Sequence, residues 1–149
     1  MPISEICNRE VIIVQPNDAA IVAAKLMRQH HVGDVLVVEA RGGLRIPVGI
    51  VTDRDLVVEI IAPELDPAAI TVGDIMAPDL VTVKENTGIY EAIEYMRAKG
   101  VRRLPVVNDS GGLVGILTLD DLLELLAEEL LELAKLVKYE QKKETATRR

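Results

Sequence analysis

Short apolar runs alternate with stretches whose apolar residues recur every three or four positions, and the whole alternation occurs twice. Val11 to Val14 and Leu80 to Val83 have strand length. Each run is followed by polar residues suited to a helix start, Asn17-Asp18 and Asn86-Thr87. Apolar residues at helical spacing come next: Ala20, Ala23, Ala24 and Met27, then Ile89, Ala92, Ile93 and Met96. Two β-branched runs follow in each half, Val35 to Val38 with Val48 to Val51, and Leu104 to Val107 with Leu113 to Leu117. Gly42-Gly43 and Gly111-Gly112 separate them, which predicts hairpins. A second helix is predicted from Thr52-Asp53 and from Thr118-Leu119. The order is β-α-β-β-α, twice, joined by a Pro-containing connector from Ala62 to Ala69.

The two halves align residue by residue. A shift of 69 places Ile3-Ser4-Glu5-Ile6 on Val72-Gly73-Asp74-Ile75 and Met27-Arg28 on Met96-Arg97. After a three-residue excess in the first hairpin, a shift of 66 places Gly49-Ile50-Val51-Thr52-Asp53-Arg54-Asp55-Leu56 on Gly115-Ile116-Leu117-Thr118-Leu119-Asp120-Asp121-Leu122. Length changes in such a turn cost little. The expected organisation is one repeat over 3–62, a connector over 63–71, a second repeat over 72–133, and a helical extension with a charged tail over 134–149. A unit of about 60 residues buries too little surface to be comfortable alone. The expected fold is therefore α+β, two β-α-β-β-α units packed sheet to sheet as a pseudo-twofold pair. Clefts between such units suit small ligands.

The last helix outruns its counterpart. Leu119, Leu122, Leu126, Leu130, Leu133 and Val137 form an apolar stripe, with Glu124, Glu128, Glu129, Glu132, Lys135 and Lys138 on other faces. Such a stripe needs a partner: the helix can pack on its own domain or, as is favoured because the stripe outlasts the repeat, on a second copy of the chain. The tail from Tyr139 to Arg149 is expected to fray.

Composition narrows the function. Of 149 residues 49% are hydrophobic and 28% charged, so a core can form and disorder is not expected. Phe and Trp are absent and Tyr occurs three times, so the core is aliphatic. A net charge of −7 and the lack of stacking rings argue against nucleic acid as a partner. Cys7 is the single cysteine, which rules out a disulfide within the chain. No basic region with a following apolar stretch stands near Met1, and no run reaches the roughly 20 apolar residues of a bilayer span. A cytoplasmic protein without membrane contact is expected.

The chemistry-bearing feature is Gly-Ile-h-Thr-x-x-Asp (h apolar) at each strand-to-helix junction. Thr followed three residues later by Asp can be a capping box. The same groups suit a nucleoside phosphate: a carboxylate accepts from ribose hydroxyls, while a hydroxyl and free helix-start N–H groups hold phosphate. Both readings remain open. Nothing points to catalysis. His30 and His31 are adjacent and face different ways, a poor metal pair. Cys7 has only Arg9 near it in sequence, and no phosphate-loop, nucleophile-elbow or dinucleotide fingerprint occurs. A binding module is expected rather than an enzyme, with no metal and no catalytic residue.

The duplicated order, the Leu104-Pro105-Val106-Val107 run and the repeated motif resemble the CBS domain family over roughly residues 3–133. The resemblance implies paired domains (a Bateman module) that dimerise and bind AMP, ADP or ATP in their clefts. Some members take NAD or S-adenosylmethionine, and some bind nothing. It implies that Thr52 and Asp55, and again Thr118 and Asp121, hold phosphate and ribose. Ile50 and Ile116, Ile12 and Val81, and Val32 and Val101 would line the base slot, with Cys7 and Met76 close by. Arg54 opposite Asp120, and Arg102-Arg103 opposite Gly33-Asp34, imply two unlike sites. Phosphate would be held by Arg54 in one and by Arg102 and Arg103 in the other, with Asp34 and Asp120 repelling it if they face it. No cofactor is implied beyond the adenosine ligand, and the protein it regulates is unknown.

Overall fold

A computed structural model describes residues 1–77 and 79–147. They fall into two compact units, Met1–Leu117 and Thr118–Arg149.

The first unit is built on two sheets with the same plan. In the first repeat, β1 (Ile13–Val14) leads through α1 (Ala20–His30) to β2 (Asp34–Arg41) and β3 (Leu44–Thr52), in the order β1-β2-β3. In the second, β4 (Val83–Lys84) leads through α4 (Ile89–Lys99) to β5 (Arg103–Val107) and β6 (Leu113–Thr118), in the order β4-β5-β6. β1 is parallel to β2 and β4 to β5, each across its helix. β2 and β3 are antiparallel, with a bulge between Val37 and Val38. Gly42 and Gly43 turn that hairpin with φ of 57° and 80°, a backbone open to glycine and costly for most side chains. The first strands are shorter than the apolar runs that predict them. Ile12 nevertheless still accepts from the Leu36 N–H through its carbonyl.

Neither helix begins with a side-chain cap. The N-caps are Ala19 and Gly88, not the polar pairs before them. Asp18 instead accepts the Gln15 N–H at 2.8 Å, and its carbonyl accepts from Val72. After β3, α2 (Asp53–Leu56) widens into a π-helical turn over Val57–Ile61. α3 (Val72–Ile75) opens the second repeat behind a capping box of Thr71 and Asp74 that the sequence reading passed over.

The repeats exchange their leading segments. The Ile3 N–H donates to the Thr87 carbonyl at 2.9 Å, and 69 residues on the Val72 N–H donates to Asp18 at 2.8 Å. Ser4 likewise donates to Glu85, and Gly73 to Pro16. The β-bridges Pro2–Gly88 and Ala19–Thr71 repeat the relation. Each repeat's first residues thus belong to the other's fold, with an approximate twofold between them. Val72 accordingly sits in a core cluster with Val14, Ala23, Met27, Val35, Val37 and Val51 of the first repeat, while Ile3 is fully buried.

The second unit is one helix, α5 (Leu119–Thr147). It departs from expectation twice. Leu122 is buried, whereas Leu123, Leu126, Leu130, Leu133 and Val137 are exposed, so the open seam passes through Leu123. The helix also continues through Tyr139 to Thr147 rather than fraying there. Lys, Glu, Gln and Ala favour helix, and the Thr145 and Thr147 hydroxyls donate back to the Gln141 and Lys143 carbonyls. Arg148 and Arg149 lie outside the described residues.

Candidate functional site

Thr52 ends β3 and caps α2, and its capping box is reciprocal. The Asp55 N–H donates to Thr52 Oγ1 at 3.2 Å and the Thr52 N–H donates to Asp55 Oδ2 at 2.9 Å. The helix-start reading therefore holds for the first motif. One carboxylate oxygen of Asp55 is engaged at home. In the second motif, within its own unit, the Asp121 N–H donates to Thr118 Oγ1 at 3.1 Å, and Asp120 is exposed.

Beside Thr52 lies an open hollow of about 330 Å³. The first repeat contributes Ile50 and Thr52 to it. The second contributes Val81, Val101, Arg102 and Arg103, with Leu80, Ala77, Asp79, Gly100 and Pro105. Apolar side chains thus meet two guanidinium groups, a hydroxyl and the Asp79 carboxylate. Arg102 and Arg103 accordingly share a hollow with the first motif, in place of the expected division of basic residues by repeat. Arg54, at that motif, is exposed and is not among the described lining residues. Neither is Asp55.

Arg103 does not stand alone. Its Nε lies 2.7 Å from Asp34 Oδ2, with both side chains partly covered. Asp34 is the cross-strand partner of Thr52 and, at a shift of 69, the repeat equivalent of Arg103. Instead of repelling an anion directly, Asp34 is matched by a cation. Gly33 beside it accepts the Asp53 N–H at 2.9 Å.

Cys7 and Met76 hold equivalent places against the motif glycines of the opposite repeats. A Cβ on Gly49 would lie 2.5 Å from Met76 Sδ, and one on Gly115 would lie 2.6 Å from the Asn8 carbonyl oxygen and 2.9 Å from Cys7 Sγ. Both glycines are therefore spacing elements under the leading segments. Cys7 Sγ reaches the Ser4 carbonyl at 3.8 Å. Ile116 is buried and pairs with Asn8 through two backbone hydrogen bonds of 2.9 Å. Ile12 packs on the core cluster, and Val32 is exposed at the end of α1. None of them is among the residues that line this hollow. Ala77, Asp79, Leu80, Gly100 and Pro105 line it without being expected from the sequence; Ala77, Leu80 and Gly100 adjoin Met76, Val81 and Val101, which was the signal for those three. Among the described residues no group of three or more His, Cys, Asp or Glu could hold a metal ion, and no helix is long and apolar enough to cross a membrane.

Comparison with known families adds one decisive match: the CBS domain pattern fits residues 3–62 and 72–128. The chain belongs to the CBS domain family. It is a tandem CBS pair, the form of a regulatory module. An uncharacterized protein of Methanopyrus kandleri is 37% identical over 123 residues, 83% of this chain and 61% of its own length, so the chain spans under two thirds of that relative. Hypoxic response protein 1 of Mycobacterium tuberculosis is 33% identical over 124 residues, covering 83% of this chain and 84% of that one. A crystal structure of Hypoxic Response Protein I with two coordinated zinc ions matches at TM-score 0.71, 31% identity, and 83% and 98% coverage. A CBS pair solved with 5′-methylthioadenosine and S-adenosyl-L-methionine matches at TM-score 0.73 over 87% and 98% of the two chains; at 24% identity the likeness is one of fold. The CBS fold with its two three-stranded sheets is as the sequence predicts.

Proposed function

We propose that this tandem CBS pair is a non-catalytic regulatory module that binds an adenine nucleotide beside Thr52 and acts as a cytoplasmic homodimer. One observation carries the reading. The hollow joins Ile50 and Thr52 of one repeat to Val81, Val101, Arg102 and Arg103 of the other. Its volume of about 330 Å³ lies at the lower end of small-ligand clefts. Its apolar side suits an uncharged purine. Guanidinium groups are the side chains best matched to phosphate oxygens. Arg102 and Arg103 favour a phosphate-bearing ligand, AMP, ADP or ATP first and NAD next, while Asp79 on the same wall and Asp34 beside Arg103 keep S-adenosylmethionine a competing ligand. Because the lining comes from both repeats, a ligand there could favour one arrangement of the repeats over another, to the extent that its affinity differs between them.

Isothermal titration with AMP, ADP, ATP, NAD and S-adenosylmethionine tests this. Saturable heat is expected with a phosphate-bearing ligand, and Arg102→Ala should weaken it about 10- to 100-fold, the loss of one charge-assisted hydrogen bond. Silence with all five ligands, in heat and in thermal shift, would remove the proposal. A second reading, an unliganded dimerisation scaffold, is favoured by the engagement of Asp55 in its capping box. Under that reading Arg102→Ala changes neither ligand response nor partner binding.

A further inference from the structure

We propose that α5 pairs with α5 of a second copy of this chain, and that the two helices run antiparallel. The first observation is the seam. Leu119, Leu123, Leu126, Leu130, Leu133 and Val137 alternate steps of four and three, a repeat of 3.5 rather than 3.6 residues. That spacing keeps one stripe facing a partner helix along its length. From Leu123 onward the seam is open: Leu126 is 46% exposed, Leu130 68%, Leu133 59% and Val137 53%. Ala127 and Ala134 stand next to it and leave room for close approach.

The second observation, distribution of charge, sets the direction and the occupant. From Leu119 to Leu133 the helix carries six acidic residues and no basic one, a net −6. From Ala134 to Thr147 it carries four lysines against Glu140 and Glu144, a net +2. Acid near the N-terminus and base near the C-terminus suit the helix dipole, but that effect fades beyond the first and last turns. The segregation here runs through the whole 29-residue helix, about 44 Å long. Two copies side by side in parallel would set acidic block against acidic block. Antiparallel, each acidic block meets a basic one. Setting Leu130 against the partner's Leu133 and Leu126 against the partner's Val137 fills the central layers. It also sets Ala127 beside the partner's Ala134 on one flank of the seam, with Asp120 and Asp121 level along the axis with the partner's Lys143 and Lys142.

The pairing rests on the homodimer proposed above but not on nucleotide binding, so its failure leaves the ligand reading to its own test. Full-length chains carrying Cys7→Ser and either Ala127→Cys or Ala134→Cys are mixed and oxidised, and disulfide dimers are mapped by mass spectrometry. The 127–134 disulfide is expected to exceed both like-with-like disulfides several-fold. Equal yields, a predominant 127–127 product, or no cross-link would overturn the proposal. Sedimentation of the quadruple variant K135E/K138E/K142E/K143E, with helix content checked by circular dichroism, gives a second reading. Self-association should weaken at least tenfold, and partly recover on mixing with E124K/E128K/E129K/E132K. An unchanged dissociation constant would equally overturn it.

Discussion

A guanidinium that already holds a carboxylate has less to offer a phosphate. Arg103 is so placed, 2.7 Å from Asp34 and on the wall of the hollow. Replacing Asp34 with Asn keeps the size and removes the competing charge. Asp34→Asn is therefore expected to tighten binding of the phosphate-bearing ligand several-fold in calorimetry, and to do least for an uncharged nucleoside. At the end of α1, His31 takes φ of 54°, where the second repeat has Gly100 at φ of 66°. A left-handed helix terminus costs a side-chain-bearing residue roughly 1 kcal/mol. His31→Gly should recover part of it, read as a small rise in the urea midpoint. The Thr52–Asp55 pairing was legible in sequence because its partners are three residues apart. The Arg103–Asp34 pair was not, since nothing local tells two distant charged positions that they will meet.

Elements were legible where periodicity was long and lost where tertiary contacts overrule local preference. α1, α4 and both hairpins follow their apolar patterns. The first strands shrink to Ile13–Val14 and Val83–Lys84 because pairing to a parallel neighbour, not apolar content, decides what is strand. The polar residues before α1 cap nothing because the leading segment of the other repeat occupies the backbone there. The leading segments also explain the motif glycines, whose place in the repeated Gly-Ile-h-Thr-x-x-Asp pattern does not by itself show what approaches them. A methyl at Gly115 would press on a backbone oxygen, which cannot turn aside as a flexible side chain can. Gly115→Ala is expected to destabilise by about 1–3 kcal/mol, the usual cost of overpacking, in equilibrium denaturation. An effect below about 0.5 kcal/mol would mean that the Cys7–Asn8 segment yields freely.

On the scale of the molecule, reciprocal exchange makes each repeat incomplete without the other. A chain divided within the connector between Ala62 and Ala69 is therefore expected to reassemble when both pieces are expressed together. Each piece alone should lack a cooperative thermal transition. Independent folding of either piece would contradict the exchange. The duplication and the shared core were readable from the sequence. A cleft between the repeats was expected too, but not which side chains line it, because pooling equivalent positions does not say which of them meet.

Asp34 and Arg103 show what joining the repeats in one polypeptide makes available. They hold the same position in successive copies, yet bear opposite signs. Two identical chains related by a true dyad would have to set like against like at that place. Joining the two in one chain lifts the constraint: the backbone plan stays symmetric while the charges at equivalent places differ, so one flank can be tuned without altering the other.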